Sequence, residues 1–107
     1  MTVIYEVNLF VERKIESDYR AWLLKHIAAI LALPGFLEAQ SFDVQQAADS
    51  ETVAICVQYR LTSLAALDDY LERHAARLRA DGIEKFGNRF TANRRVLLNA
   101  SAFTSSH

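Results

Sequence analysis

The stretch VIYEVNLFV, residues 3–11, has the side-chain alternation that decides the predicted fold. All of its odd-numbered positions are apolar, whereas Glu6 and Asn8 stand at even-numbered positions. Successive side chains of a β-strand point to opposite faces of the sheet. The pattern therefore predicts a strand with one face on a core and a second, partly polar face.

Two segments downstream have apolar residues at three- and four-residue spacing, which predicts two amphipathic helices. Ser17 and Ser63 stand where these helices begin, and a serine hydroxyl commonly caps a helix N-terminus. Glycine and proline residues then interrupt each pattern, as they commonly do where a helix ends. The predicted helical segments are residues 17–33, ended by Pro34-Gly35, residues 63–80, ended by Asp81-Gly82, and a short turn at residues 83–86.

Three further segments alternate as strands, and the polar loop 45–50 joins two of them as a hairpin. The order β-α-β-β-α-β predicts a ferredoxin-like α+β fold, in which a four-stranded antiparallel sheet has two helices on one face. We expect one domain over residues 1–99 and a frayed tail over residues 100–107. The predicted strands are residues 36–44, 52–61 and 90–98.

The sheet face away from the helices, called the open face below, has a mixed composition. Its three phenylalanines are too many to leave in water, at about 25 cal/mol per Å² of apolar surface. Its acids and arginines are costly to bury unpaired. A second copy packed face to face satisfies both demands, so we expect a homodimer that forms a dimeric α/β barrel. The residues predicted on the open face are Ile4, Glu6, Asn8, Phe10, Phe36, Glu38, Gln40, Phe42, Ala54, Cys56, Gln58, Arg60, Thr91, Asn93, Arg95 and Leu97, with Leu37 on the helix side.

Composition argues against several classes of protein. The chain has 107 residues, with 12 Lys and Arg against 13 Asp and Glu, and this balance does not favour a nucleic-acid partner. The lone Cys56 permits neither an intramolecular disulfide nor a zinc site built from several cysteines. Apolar runs are too short to span a membrane and the first residues lack a basic leader, so we expect a cytoplasmic protein without a membrane partner.

Several segments carry a family resemblance through their order and spacing: Tyr5-Glu6-Val7-Asn8, Leu33-Pro34-Gly35-Phe36-Leu37, Tyr59-Arg60-Leu61, Leu67-Asp68-Asp69-Tyr70-Leu71 and Arg94-Arg95-Val96-Leu97. Together they resemble an uncharacterised bacterial family, known only as a domain of unknown function, within the dimeric α/β-barrel superfamily. The resemblance implies the same homodimer. The superfamily includes cofactor-free monooxygenases, haem-degrading enzymes, lactone isomerases and ligand-sensing domains, so the resemblance implies little about chemistry. No catalytic residue carries over position by position.

Two histidines lie on or beside the apolar stripes of the predicted helices, His26 in the first and His74 in the second. Each is either a general base, or a haem or metal ligand, beside a helix–sheet pocket, or it is a hydrogen-bonded residue at the core edge. The sequence has no His-x-x-x-His and no Cys/His cluster, so we predict no metal site and no cofactor. Trp22 is either a core residue or part of a ligand pocket.

Polar residues of the open face form a second set of pocket residues. Amides and charges among phenylalanines can orient a small oxygenated ligand, or they form a hydrogen-bonded network at the dimer interface. The residues concerned are Glu6, Asn8, Gln40, Gln58, Arg60 and Arg95.

Residues 70–95 have an excess of positive charge. Such a segment attracts an anionic ligand or partner, unless it is a solvated helix face with local ion pairs. The segment contains the bases Arg73, Arg77, Arg79, Lys85, Arg89, Arg94 and Arg95 and the acids Glu72, Asp81 and Glu84.

Two functions follow as alternatives. The first is small-molecule binding without established catalysis, which the absence of a recognisable nucleophile–base pair favours. The second is a cofactor-free, monooxygenase-like or isomerase-like enzyme, whose substrate would supply much of the reactivity. Spectra of the purified protein and oxygen uptake would distinguish them.

Overall fold

The computed structural model describes residues 1–106, and it confirms the ferredoxin-like α+β architecture. The elements are β1 (Val3–Glu12), a 3-10 turn (Arg13–Ile15), α1 (Glu16–Leu31), β2 (Phe36–Val44), β3 (Thr52–Leu61), α2 (Leu64–Arg73), α3 (Ala75–Phe86) and β4 (Phe90–Leu98). The four strands form one antiparallel sheet in the order β2-β3-β1-β4.

The central strand β1 sets which side chains share a face of the sheet. Tyr5 lies opposite Tyr59 of β3, and both rings are buried on the helix side. One residue further along, Glu6 lies opposite Gln58 on one neighbouring strand and opposite Arg95 on the other. The predicted alternation of β1, β3 and β4 is therefore confirmed, and it separates an aromatic helix side from a polar open face.

The predicted faces at the start of β2 are wrong. A register irregularity between Phe36 and Glu38 leaves Leu37 without a partner on β3, and Leu37 is exposed. An extra residue in one strand shifts the alternation of its side chains, so the residues before it point to the opposite face of the sheet. Phe36 consequently lies on the helix side, where it is 8% exposed and packs edge-on against Tyr59 and Tyr70. The open face therefore contains two of the three predicted phenylalanines, Phe10 and Phe42.

The second predicted helix is also different in the structure. It breaks at His74, whose φ of −126° is not helical, and α3 then continues through Gly82 to Phe86. Gly82 continues the helix because it lies against Trp22: a Cβ built on it would be 2.8 Å from Trp22 Cη2. Packing here outweighs the weak helix propensity of glycine.

The predicted ends of the first helix need correction as well. A 3-10 turn precedes α1, so Ser17 lies within the helix and does not cap it. The helix ends at Leu31, two residues before the predicted end. The predicted cap at Ser63 is confirmed, since its hydroxyl oxygen accepts a hydrogen bond from the Ala66 amide at 3.1 Å.

Residues 99–106 form neither helix nor strand and are exposed, whereas His107 of the predicted tail lies outside the described residues. The frayed tail stays a prediction. Within the described part of the chain, no helix has both the length and the apolar character needed to cross a membrane.

Candidate functional site

A cavity of about 510 Å³ lies between the sheet and the helices. Strands β1, β3 and β4 form its floor, and α1 and α3 contribute its walls. Most of its lining is aliphatic or aromatic, with a few polar tips. The aromatic part of the lining consists of Tyr5, Tyr19, Trp22, Tyr59, Tyr70 and Phe90.

Trp22 and His26 form one wall of the cavity. They stand four residues apart on α1, so they share a helix face. Their rings stack with centroids 4.5 Å apart and an interplanar angle of 21°. The Trp22 indole N–H donates to Asp81 Oδ2 on α3 at 2.6 Å, and Gly82 allows α3 to approach the indole. Contacts on several sides therefore fix the orientation of this ring.

Arg79 and Tyr5 form a polar group on the same cavity. The Arg79 Nη2 group donates to the Tyr5 hydroxyl oxygen at 2.7 Å. The Arg79 Nε is buried and has no hydrogen-bond partner among residues 1–106. A buried, unpaired donor costs about 1–3 kcal/mol, so the protein by itself leaves this guanidinium incompletely satisfied.

Tyr59 and Tyr70 lie next to Tyr5 and extend the polar edge of the cavity. Their ring centroids are 6.1 Å and 5.9 Å from that of Tyr5. Burial raises the pKa of Tyr70 to about 12 and raises the pKa of Tyr59 as well. Both hydroxyls are therefore protonated at neutral pH and can donate hydrogen bonds to a bound oxygen.

His26 is half-buried and lines the cavity. Burial lowers the pKa of His26, the Arg94 and Arg79 charges lower it further, and Asp81 opposes them. The imidazole is consequently neutral at pH 7, and a neutral imidazole can accept a proton.

Glu6 lies on the open face at the centre of a separate polar cluster. Its carboxylate accepts hydrogen bonds from Asn8 Nδ2 and Gln58 Nε2, each at 2.9 Å, and from Arg95 Nε. The residue is 3% exposed. These hydrogen bonds, that of Arg95 foremost, lower the pKa of Glu6 to about 2 against the effect of burial. The carboxylate stays ionised, and each of its two oxygens accepts at least one hydrogen bond.

Cys56 stands beside Glu6 on the open face and is buried. Burial raises the pKa of its thiol, and the Glu6 charge raises it further. Because the thiolate is the nucleophilic form, this cysteine is poorly suited to nucleophilic chemistry. Among residues 1–106, no three His, Cys, Asp or Glu side chains are placed to share a metal ion.

The structure divides the predicted site residues into separate groups. Glu6, Asn8, Gln58 and Arg95 form the open-face cluster, whereas Trp22 and His26 line the cavity behind the sheet. The other predicted site residues, Gln40, Arg60 and His74, belong to neither group. Gln40 is exposed opposite Gln58, Arg60 donates to Glu38 at 3.1 Å, and His74 Nδ1 lies 3.2 Å from Arg77 Nη2 at the helix break.

Sequence reasoning missed Arg79 and the hydroxyl of Tyr5 as parts of the cavity. Arg79 was visible only as one member of a basic segment, and Tyr5 only as a core residue. Arg79 lies on α3, which begins after the break at His74 that the predicted continuous helix does not include. The excess of positive charge in residues 70–95 is the feature of the sequence that indicated this site.

Solved structures with the same fold have low sequence identity to this chain. A putative antibiotic biosynthesis monooxygenase from Deinococcus radiodurans has a TM-score of 0.70 and 13% identity, over 98% of this chain and 99% of that one. SnoaB, a cofactor-independent oxygenase from Streptomyces nogalater, has a TM-score of 0.67 and 12% identity, over 98% and 100%. The designed protein Foldit4 has a TM-score of 0.65 and 15% identity, over 94% and 100%. Since a designed protein shares the fold, these similarities support the architecture alone.

No curated protein matches the sequence. A family profile described as a domain of unknown function, DUF4286, matches residues 2–100, which is nearly the whole chain. The chain belongs to this family.

Proposed function

We propose that this protein is a homodimer that binds a small, largely apolar aromatic molecule in the cavity between the sheet and the helices. The observation that carries the proposal is the cavity itself, about 510 Å³ of space lined by aromatic rings and a few polar groups. Ligand pockets of proteins commonly have this size and this mixture of lining groups.

The lining favours a ring system over an aliphatic chain. Trp22, Tyr59 and Tyr70 border the space, and aromatic pairs gain stability from offset or edge-to-face contacts. The protonated tyrosine hydroxyls supply donors for an oxygen substituent. The combination favours an aromatic or quinonoid ligand with at least one oxygen.

A cavity-filling variant tests this binding site. We expect two- and three-ring oxygenated aromatics to raise the melting temperature of the protein in a thermal-shift panel. Val7→Phe places a ring in the cavity and is expected to abolish that response, whereas Val44→Phe, at an exposed position of β2, preserves it. A flat response of the unaltered protein to the whole panel would contradict the proposal.

The homodimer is supported by the open face. Phe42 is 46% exposed there, and Phe10 and Leu97 are half-buried beside the Glu6 cluster. The acids and arginines of this face are paired within one protomer, Glu6 with Arg95 and Glu38 with Arg60. A second copy related by a two-fold axis can therefore cover the apolar groups without burying an unpaired charge.

Dimerisation is measured by the molar mass in solution. We expect twice the 12.1 kDa of one chain at micromolar concentration. Phe42→Glu is expected to shift the protein to the monomer because it places a charge in the interface. Leu24→Glu is the control, since Leu24 is 72% exposed on α1, away from the open face. A monomer before any substitution would overturn this part of the proposal.

A cofactor-free oxygenase or isomerase is the second proposed function, and His26 is the observation that favours it. A neutral imidazole in an aromatic cavity can take a proton from an acidic ligand. Oxygen uptake or isomer formation with polyphenolic and quinol compounds tests this activity, with His26→Gln as the inactive variant. The absence of turnover from a compound that demonstrably binds would leave the binding function alone.

A further inference from the structure

The cavity has a cationic end. Arg79 reaches it from α3 and Arg94 from β4, and among the described residues that line the cavity there is no Asp or Glu. The nearby Asp81 carboxylate is occupied at the tryptophan wall, where it accepts the Trp22 indole N–H. The described lining of the cavity therefore offers two guanidinium groups and no carboxylate to a ligand.

Hydrogen bonding distinguishes Arg79 from an ordinary paired arginine. Its one bond to a protein group goes to the neutral Tyr5 hydroxyl, and its Nε is buried without a partner among residues 1–106. Because the Tyr5 oxygen accepts that bond, the hydrogen of the same hydroxyl remains free to donate. The Arg79 guanidinium and the Tyr5 hydroxyl are thus two adjacent donor groups that line the same cavity.

We infer that the ligand of this cavity carries an anionic oxygen, of the carboxylate type, which binds against Arg79 and the Tyr5 hydroxyl while its rings lie against Trp22. This inference rests on the proposed function, because it concerns the class of molecule that occupies the same cavity. A charge-assisted hydrogen bond to a guanidinium is roughly twice as strong as a neutral one.

The test compares two ligands that share one ring system and carry either an anionic or a neutral oxygen substituent: 2-naphthoate and 2-naphthylmethanol. Binding is followed by calorimetry and by the indole N–H resonance of Trp22, which is unambiguous because the chain has one tryptophan. We expect 2-naphthoate to bind the unaltered protein about tenfold more tightly than the alcohol. Arg79→Gln should remove this preference and keep the alcohol affinity.

Arg77→Gln is the matched control, since Arg77 is an exposed arginine on the same helix and does not line the cavity. It should preserve the preference for the acid. Equal affinities of acid and alcohol for the unaltered protein would overturn the inference and leave the proposed function standing. If neither compound moved the Trp22 signal, both would fail.

A preference that survives Arg79→Gln would show that the anion is bound elsewhere, and it would equally overturn the assignment to Arg79. The comparison of the two ligands on the unaltered protein decides the charge preference even if this variant does not fold.

Discussion

The two faces of the sheet each hold a charged group near the middle of the structure, and the two groups differ in how well they are satisfied. On the open face, the Glu6 carboxylate accepts hydrogen bonds from Asn8, Gln58 and Arg95. On the helix side, Arg79 donates to the Tyr5 hydroxyl, and its buried Nε has no partner in the part of the chain that the structure describes.

This difference separates a structural role from a binding role. A buried polar group with all its partners stabilises the fold, whereas one that lacks partners costs stability until something binds it. We therefore assign the Glu6 cluster to the architecture of the open face, and Arg79 to the recognition of a ligand.

The largest expected effect comes from breaking the satisfied cluster. Glu6→Gln replaces an acceptor-only carboxylate by an amide with one oxygen, so the donors around it lose charge-assisted bonds. We expect the free energy of unfolding to fall by about 2 kcal/mol, within the range for hydrogen bonds to charged groups. Chemical denaturation measures this loss.

Glu38→Gln provides the matched control for that experiment. Glu38 pairs with Arg60 on the same face, but its side chain is 61% exposed. An exposed pair contributes less than about 1 kcal/mol, so the control should change stability little. Equal losses of unfolding free energy from Glu6→Gln and Glu38→Gln would show that the burial of Glu6 does not strengthen its hydrogen bonds.

Acid pH should break the same cluster without a mutation. The pKa of Glu6 is about 2 in the folded protein and near 4.5 in an unfolded chain. The unfolded chain therefore takes up the proton first, and the stability contributed by Glu6 is lost as pH falls from 4.5 towards 2. Denaturation at several pH values should show a steeper decline for the unaltered protein than for Glu6→Gln.

A smaller effect is expected where the cavity wall is tightest. Gly82→Ala improves helix propensity by roughly 0.5–1 kcal/mol, but overpacking typically costs about 1–3 kcal/mol. The new Cβ would stand 2.8 Å from Trp22 Cη2, and the indole is held by Asp81 and His26. We expect a net loss of about 1 kcal/mol, with a shifted indole N–H resonance. A more stable variant with an unchanged Trp22 signal would contradict this packing.

The smallest expected effect concerns His26. Its pKa lies below the ordinary value of 6.5 in the folded protein, so the unfolded chain binds the proton first as pH falls. His26 therefore contributes a loss of stability as pH falls through 6.5 and below, and His26→Gln should reduce the slope of stability against pH in that range. An unchanged slope would indicate that the imidazole is not buried as described.

Alternation along the strands was sufficient to predict the sheet and to place Glu6, Gln58 and Arg95 on its open face, but not their contacts within one protomer. It failed at Leu37, because a one-residue irregularity leaves no mark in an apolar Phe-Leu pair. The helix break at His74 was equally invisible, since neither proline nor glycine stands there. Periodicity placed Arg79 and Arg94 only within a basic segment, so their contribution to the cavity could not be predicted from it.

Mapping of amide chemical shifts on addition of 2-naphthoate tests the central contrast most directly. The Trp22 indole N–H reports the cavity, and the side-chain amides of Asn8 and Gln58 report the open face. We predict that the Trp22 signal moves with saturation while both amide signals stay in place. Movement of the Asn8 and Gln58 amides with an unchanged Trp22 signal would contradict the account, because it would place the ligand on the face assigned to structure.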